Sequence, residues 1–282
     1  MALVREPAVA GLFYPADPDT LAADVAELLN QGASRLAGSA LGEAPGAPDQ
    51  RVKALIAPHA GYAYSGPTAG VAYAALAGAD YQRVVLLGPC HHVGTPFVAL
   101  AGAEYFRTPL GDVPVWEEGA ARVGRLREVI VSPPVHAREH SLEVHLPFIQ
   151  TALRPDTPVL PLAVGWADPG AVAAVIEAVW GGRETLFVVS SDLSHYLPYA
   201  AAVRADSATV TQILAAAGPL EGEQACGAHP VNGLLEVARR RGLASGVLDY
   251  RNSGDTAGDR GRVVGYAAIA FAEAASAGDG AR

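Results

Sequence analysis

The sequence predicts one α/β domain over residues 1–274, built as a mainly parallel sheet flanked by helices. Short apolar runs of strand length alternate with helical patterns along the chain, and no internal repeat is visible. With 282 residues and 50% hydrophobic composition, the chain is long and apolar enough to bury one large core. The tail at 275–282 is small and polar, and we expect it to be disordered.

Composition excludes several classes of partner. The formal charge of −9 argues against nucleic acid, because that affinity comes mainly from Lys and Arg that neutralise phosphates. The sequence lacks both an export signal and a run of about 18 apolar residues, so it predicts a soluble, cytoplasmic protein without a membrane partner. It contains two cysteines, which in a reducing compartment are more often ligands or nucleophiles than halves of a disulfide. No oligomeric state is predicted.

The amino-terminal part predicts one amphipathic helix followed by a loop. Asp17 and Pro18 form a helix start, and Leu21 and Val25 then fall on one face. Residues 32–50 are small and polar, which predicts a surface loop rather than a linker between domains.

The remaining elements follow from apolar runs and turn residues. Buried strands are predicted at residues 53–57, 84–87, 186–189 and 263–271. Helices are predicted at residues 68–76, 117–126, 199–217 and 231–241, and an edge strand with a hairpin at 96–115.

Polar residues capable of chemistry follow the predicted strands where each strand ends. Pro58 and His59 follow the first strand, and Cys90, His91 and His92 follow the second. In open parallel sheets, ligands bind beyond the carboxyl ends of the strands, so these imidazoles are placed to contact a metal or substrate.

A third cluster places Glu139, His140, Glu143 and His145 within seven residues. If this segment is helical, His140 and Glu143 lie one turn apart on one face. That spacing predicts either a metal ligand or a carboxylate that orients an imidazole. For His145 we favour a structural role at the start of a helix.

A fourth cluster, Ser190, Ser191, Asp192 and His195, follows the strand at 186–189. Asp192 could fix the tautomer of His195, or of a ligand histidine, which leaves His195 as a general acid or base. The competing interpretation is a Ser-Asp-His hydrolase. The sequence lacks the G-x-S-x-G turn that carries the nucleophile in many hydrolases.

Cys226 precedes the helix at 231–241, close to Gly227 and His229. A thiol near a helix amino terminus has a lowered pKa, so we expect an available thiolate. A buried, inert cysteine is the alternative. Seven of the eight histidines, all but His136, lie in these clusters.

Five of these motifs together resemble the Memo family. They are APHAGY at 57–62, LGPCHH at 87–92, EHSLEVHLPF at 139–148, SSDLSH at 190–195 and CGAHP at 226–230. This family comprises the mediator of cell motility and its bacterial and archaeal relatives, the latter called AmmeMemoRadiSam system protein B. The resemblance implies the fold of class III extradiol dioxygenases, with His59, His91 and Cys226 as metal ligands. It also implies that Asp192 and His195 line the same pocket.

Two imidazoles and one anionic ligand, with other positions open, form the arrangement that non-haem Fe(II) oxygenases use. Here a cysteine stands where dioxygenases of this fold use a carboxylate, so Cu or Zn competes with Fe(II). Cys90 stands where the family usually has serine. It could add a second thiolate, or form a disulfide with Cys226 under oxidation.

These expectations predict a dioxygenase-like oxidoreductase that acts on a small, aromatic or phenolic substrate. His195, Asp192, His140 and Glu143 are the predicted catalytic residues. The alternative is a non-catalytic module that captures a peptide, or a redox metal such as copper or iron, in the same pocket.

Overall fold

The computed structural model describes residues 2–38 and 51–273, which form both strands and helices. The strands are β1 (Val4–Arg5), β2 (Val52–Ala57), β3 (Arg83–Pro89), β4 (Val98–Leu100), β5 (Tyr105–Thr108), β6 (Gly111–Pro114), β7 (Val129–Val131), β8 (Val159–Val164), β9 (Thr185–Ser190), β10 (His195–Leu197), β11 (Ala244–Asn252) and β12 (Val263–Ala272). The helices are α1 (Pro18–Gly38), α2 (Tyr62–Ala74), α3 (Glu117–Val123), α4 (Pro133–Ala137), α5 (Leu146–Ala152), α6 (Pro169–Ala178), α7 (Tyr199–Leu214) and α8 (Ala228–Arg241).

Most of the strands form one mixed sheet in the order β10-β12-β2-β9-β3-β8-β4-β7, with β11 also paired to β12. The four central strands, β2, β9, β3 and β8, are parallel. Around them, β12 is antiparallel to β2, and β4 is antiparallel to β8. The predicted mainly parallel sheet is therefore correct only in part, because the four central strands and the edge pair β4 and β7 are parallel but the sheet as a whole is mixed. The carboxyl-terminal strands depart from the parallel arrangement because β11 and β12 are antiparallel neighbours, which need no crossover helix.

Helices cover both faces of the sheet, as predicted. Along β2, Ala54 and Ile56 join a core cluster with α6 and α8, whereas Leu55 and Ala57 join a second cluster with α2 and α5. The alternation follows from the two-residue period of a strand. Because both faces are covered, every residue of β2 and of β9 is buried, which explains the apolar runs at 54–57 and 186–189 within them.

Helix α1 begins at Pro18 as predicted but continues to Gly38, so residues 32–38 are helical and not part of a loop. The small residues there serve helix packing. A Cβ on Gly32 would lie 2.4 Å from the carbonyl oxygen of Gly70, so glycine allows α1 and α2 to touch. The rest of the predicted loop, residues 39–50, and the predicted tail lie outside the described residues.

Helix α2 starts at Tyr62, six residues before the predicted start, and Pro67 lies inside it. The Gly-Pro pair that predicted a turn is instead part of the contact with α1, since a Cβ on Gly66 would lie 2.9 Å from a methyl carbon of Leu28. The predicted hairpin is present as β5 and β6, which form a separate small sheet with β1. No helix in the described part of the chain is both long and apolar enough to cross a bilayer.

The order of the central strands determines where the sequence clusters meet. Strand β9 lies between β2 and β3 in the sheet. The carboxyl ends of these three strands, at Ala57, Pro89 and Ser190, are therefore neighbours. The polar residues that follow each strand are brought together at that edge.

Candidate metal centre

Two groups of ligand atoms form at this edge of the sheet, and both contain His59. One group is His59, His91 and His140, and the other is His59, Asp192 and Cys226. Within each group the ligand atoms lie within 4.8 Å of one another. Every sequence cluster therefore contributes at least one residue to these groups, with Asp192 but not His195 from the fourth cluster, and the structure adds His140 to the candidate ligands. The expected set of His59, His91 and Cys226 takes members from both groups.

His59 is the residue that joins the two groups, and it is almost completely buried. Its backbone N–H donates to Oδ1 of Asp192 at 2.8 Å. On the ring, Nδ1 lies 2.6 Å from Oγ of Ser190, and Nε2 lies 3.2 Å from Sγ of Cys226. Burial, followed by the neighbouring histidines, holds the pKa of His59 well below its usual value, so the ring is neutral at pH 7.

His91 is oriented by Glu139, a residue that the sequence argument did not select. Nδ1 of His91 lies 2.8 Å from Oε1 of Glu139. The same carboxylate accepts the backbone N–H groups of His91, His140 and Ser141 at 2.5, 3.0 and 3.0 Å. Burial raises the pKa of Glu139, but the hydrogen bonds from His91 and the backbone outweigh it and leave a pKa of about 2. A carboxylate behind a histidine is the usual support of a metal-binding imidazole.

Glu143, by contrast, has a structural role. It forms an ion pair with Arg5 and accepts the hydroxyl of Tyr14 at 2.6 Å. It also accepts the backbone N–H groups of Ala8 and Val9 at 2.7 and 3.0 Å. Residues 139–142 are not helical, and a 3₁₀-helix begins only at Glu143, so the predicted pairing of His140 with Glu143 on one helical face is wrong.

His140 nevertheless lies in the cluster. Its ring stacks on that of His91, with ring centres 4.6 Å apart and planes 19° apart, and contacts Phe13 at 4.8 Å. Burial is the main effect that lowers the pKa of His140 to about 4, so its ring is neutral at physiological pH. A neutral imidazole beside His59 and His91 can donate a lone pair to a metal.

Cys226 lies two residues before α8, and two hydrogen bonds with the backbone of Asp192 hold it in place. The N–H of Asp192 donates to Sγ of Cys226 at 3.3 Å, and the N–H of Cys226 donates to the carbonyl of Asp192 at 3.3 Å. Burial, reinforced by the carboxylate of Asp192, raises the pKa of the Cys226 thiol well above its usual value. The predicted lowered pKa is therefore wrong, because desolvation outweighs the nearby helix terminus.

Cys90 does not join the cluster. It packs against the apolar cluster on the α2 face of the sheet, and burial raises its pKa to about 12. Neither group of ligand atoms among the described residues contains it, and both cysteines are free thiols. The second thiolate and the disulfide with Cys226 are thus not features of this structure.

Asp192 and His195 do not pair in the way the sequence suggested. The carboxylate of Asp192 accepts the N–H of His59, and burial raises its pKa to about 7. The ring of His195, at the start of β10, hydrogen-bonds to the carbonyl of Leu193 instead. Burial lowers the pKa of His195, and the bond to Leu193 only partly opposes this effect.

The two serines of this loop are buried and already hydrogen-bonded, which argues against the hydrolase interpretation. The Ser190 hydroxyl donates to the carbonyl of Ser141 at 2.6 Å, and that of Ser191 donates to the carbonyl of Asp192 at 2.8 Å. Neither side chain is exposed to a substrate. His145 has the structural role expected of it, but in a hydrogen-bonded network rather than as a helix cap, since its Nε2 lies 2.9 Å from Ser190.

The fold and this edge of the sheet define a class of α/β proteins in which histidine, cysteine and carboxylate side chains lie together at the carboxyl ends of parallel strands. The chain belongs to one family of that class, since the family model described as "Memo-like protein" matches residues 5–270. MEMO1 family proteins are similar along nearly their whole length. The one from Sulfolobus acidocaldarius is 31% identical over 96% of this chain and 100% of its own. Those from Archaeoglobus fulgidus and Aquifex aeolicus are 34% and 35% identical, each over 95% of this chain and 99% of its own. The family resemblance of the motifs is thereby confirmed.

Proposed function

We propose that this Memo-like protein binds a transition metal through His59, His91 and Cys226, and that it acts as a dioxygenase-like oxidoreductase on a small aromatic or phenolic molecule. The proposal includes a fold related to that of class III extradiol dioxygenases. The observation that carries it is the convergence of two groups of donor atoms on His59. Charged and polar donors so close together are expensive to keep buried unless they bind a ligand.

The donor set suits a metal on chemical grounds. Glu139 engages Nδ1 of His91 and Ser190 engages Nδ1 of His59, so in both rings Nε2 is the nitrogen left for a ligand. Nε2 of His59 already lies 3.2 Å from Sγ of Cys226. A cation bound there would favour the Cys226 thiolate, which burial alone disfavours. His140 is a competing nitrogen ligand.

Fe(II) is the metal we expect first, and the thiol ligand makes Cu or Zn the competitors. When bound, iron or copper would supply electron transfer from the substrate to O₂. The chain itself would supply a base, since burial keeps His195 neutral at pH 7. The ring nitrogen of His195 that is not bonded to Leu193 could accept the proton of a phenolic hydroxyl.

Metal content tests the proposal directly. The protein is purified without oxygen and without an affinity tag, and its metals are measured by mass spectrometry. We expect nearly one equivalent of iron or copper in the wild type, and a large loss in His59→Ala and Cys226→Ser. Cys90→Ser is the matched control, because it removes the other thiol outside both ligand groups. Wild-type protein without metal, even after reconstitution, would refute the proposal.

A non-catalytic binding module is the second candidate, and the openness of the centre favours it. The side chain of His91 is 28% exposed, and the ring of Tyr196, next to His195, is 61% exposed. A peptide could reach such a centre as readily as a small molecule. Uptake of O₂ by the metal-loaded protein separates the two candidates. Uptake that depends on an added phenol and disappears in His195→Ala supports the enzyme, whereas metal binding without any uptake supports the module.

A further inference from the structure

The hydroxyl of Ser190 lies within hydrogen-bonding distance of three groups, and only one arrangement of protons satisfies them all. The carbonyl of Ser141, 2.6 Å away, can only accept, so it takes the single hydroxyl proton. Nδ1 of His59 at 2.6 Å and Nε2 of His145 at 2.9 Å then face the lone pairs of the oxygen. Both ring nitrogens must donate, because two lone pairs at these distances would repel.

The proton positions on His145 follow from the same hydrogen bonds. Its Nε2 carries the proton, so its Nδ1 carries a lone pair, which faces the hydroxyl of Tyr73 at 3.0 Å. Burial holds the pKa of His145 at about 3 and that of Tyr73 well above its usual value, so the imidazole is neutral and the phenol keeps its proton. Tyr73, His145, Ser190 and His59 are all buried, so water does not offer alternative partners.

We propose that Ser190 is a positioning residue that fixes His59 in the tautomer with the proton on Nδ1, so that Nε2 presents its lone pair toward Cys226. In a neutral imidazole either nitrogen can carry the proton, and a hydrogen bond at one nitrogen decides the choice. The other tautomer would point an N–H at the sulfur of Cys226 and leave no lone pair for a metal. Tyr73 and His145 keep the Ser190 hydroxyl in this orientation through the hydrogen bonds described above.

Only the effect of this tautomer on metal binding rests on the proposed function. The tautomer itself can be measured in protein from which metal has been removed. This tautomer also gives a reason for a buried serine at the carboxyl end of a strand, where a hydrolase would carry a nucleophile. Ser190 acts as a fixed acceptor for one imidazole and not as an attacking group.

The tautomer can be measured by NMR of metal-free protein labelled with ¹⁵N-histidine, because protonated and lone-pair nitrogens have well-separated shifts. In the wild type we expect His59 to have a protonated Nδ1 and a lone-pair Nε2. In Ser190→Ala we expect the preference to be lost or reversed, and the affinity for added Fe(II) or Zn(II) to fall by about 10- to 100-fold, the usual effect of removing such support. Ser194→Ala is the matched control, because Ser194 is equally buried in the same loop and bonds to neither imidazole.

Tyr73→Phe provides a second variant in case Ser190→Ala does not fold. It should loosen the tautomer of His145 and, because Tyr73 and His145 hold the Ser190 hydroxyl in place, weaken the preference of His59 for a protonated Nδ1; an unchanged His59 tautomer in this variant would count against the inference. Wild-type His59 protonated on Nε2, or an unchanged His59 tautomer in Ser190→Ala, would overturn the inference. A protein that binds no metal but shows the expected tautomers would instead refute only the proposed function.

Discussion

Replacing Glu143 by glutamine should destabilise the fold strongly, although the change preserves size and shape. The carboxylate is fully buried and pairs with Arg5, whose side chain is only 7% exposed. It also accepts two backbone N–H groups, from Ala8 and Val9, and the hydroxyl of Tyr14. The amide of glutamine has one oxygen, so its NH₂ group must face a donor and Arg5 loses its counter-charge.

The size of the effect follows from these contacts. Breaking a buried ion pair by removing one charge costs about 3–5 kcal/mol, because the remaining charge stays buried without a partner. An unsatisfied backbone donor adds roughly 1–3 kcal/mol where the segment cannot relax. Arg5 keeps its hydrogen bonds to the carbonyls of His136 and Glu139, which limits the total. We therefore expect Glu143→Gln to lower the free energy of unfolding by about 3–5 kcal/mol.

Equilibrium unfolding in urea, followed by circular dichroism, measures this loss. Glu6→Gln is the matched control, because Glu6 pairs with Arg107 on the surface and should cost no more than about 1 kcal/mol. A loss below about 1 kcal/mol for Glu143→Gln would refute the structural role. If that variant were stable but inactive, the catalytic role expected from the sequence would be favoured instead.

Two further predictions follow from other buried groups. Glu139→Gln should weaken metal binding by about 10- to 100-fold, measured by competition with a chelator, because it removes the carboxylate that orients His91; the surface variant Glu128→Gln should not. His136, which bonds to the carbonyl of Ala99, has its pKa lowered by burial from 6.5 to about 4. As the pH falls from 6.5 toward 4, His136 takes up a proton in the unfolded chain but not in the folded protein. The free energy of unfolding therefore has its full value above pH 6.5, and it falls by on the order of 3 kcal/mol as the pH approaches 4. His136→Gln should reduce this slope in unfolding curves measured between pH 7 and 4, and an unchanged slope would contradict the assignment.

The sequence predicted three of the four central strands, β2, β3 and β9, but not β8, although β8 is equally buried. Strands such as β2 and β9 are buried on both faces, so burial imposes an apolar run that can be read directly. Strand β11 has no such run, because its first residues are small or exposed and it adds to the sheet through backbone hydrogen bonds. The close contact between α1 and α2 was not predicted. Gly32 and Gly66 predicted a loop and a turn, but in the structure their lack of a side chain allows the two helices to pack closely.

For the candidate centre, the position of His59, His91 and Asp192 after strand ends was informative, because strand ends converge whatever the side chains do. The choice between Glu139 and Glu143 could not be made in this way. It depended on a helical phase, and the backbone at 139–142 is irregular. The pKa of Cys226 was misjudged because a sequence reveals a helix terminus but not the depth at which a thiol is buried.

The insertion of β9 between β2 and β3 has a consequence for how the protein is made. Both neighbours precede β9 in the chain, so during synthesis they emerge from the ribosome without the strand that joins them. His59 and His91 therefore cannot approach each other in their final arrangement until β9 and Ser190 have been added. Cys226 emerges later still. The proposed metal site can therefore form only when β9 has completed the sheet.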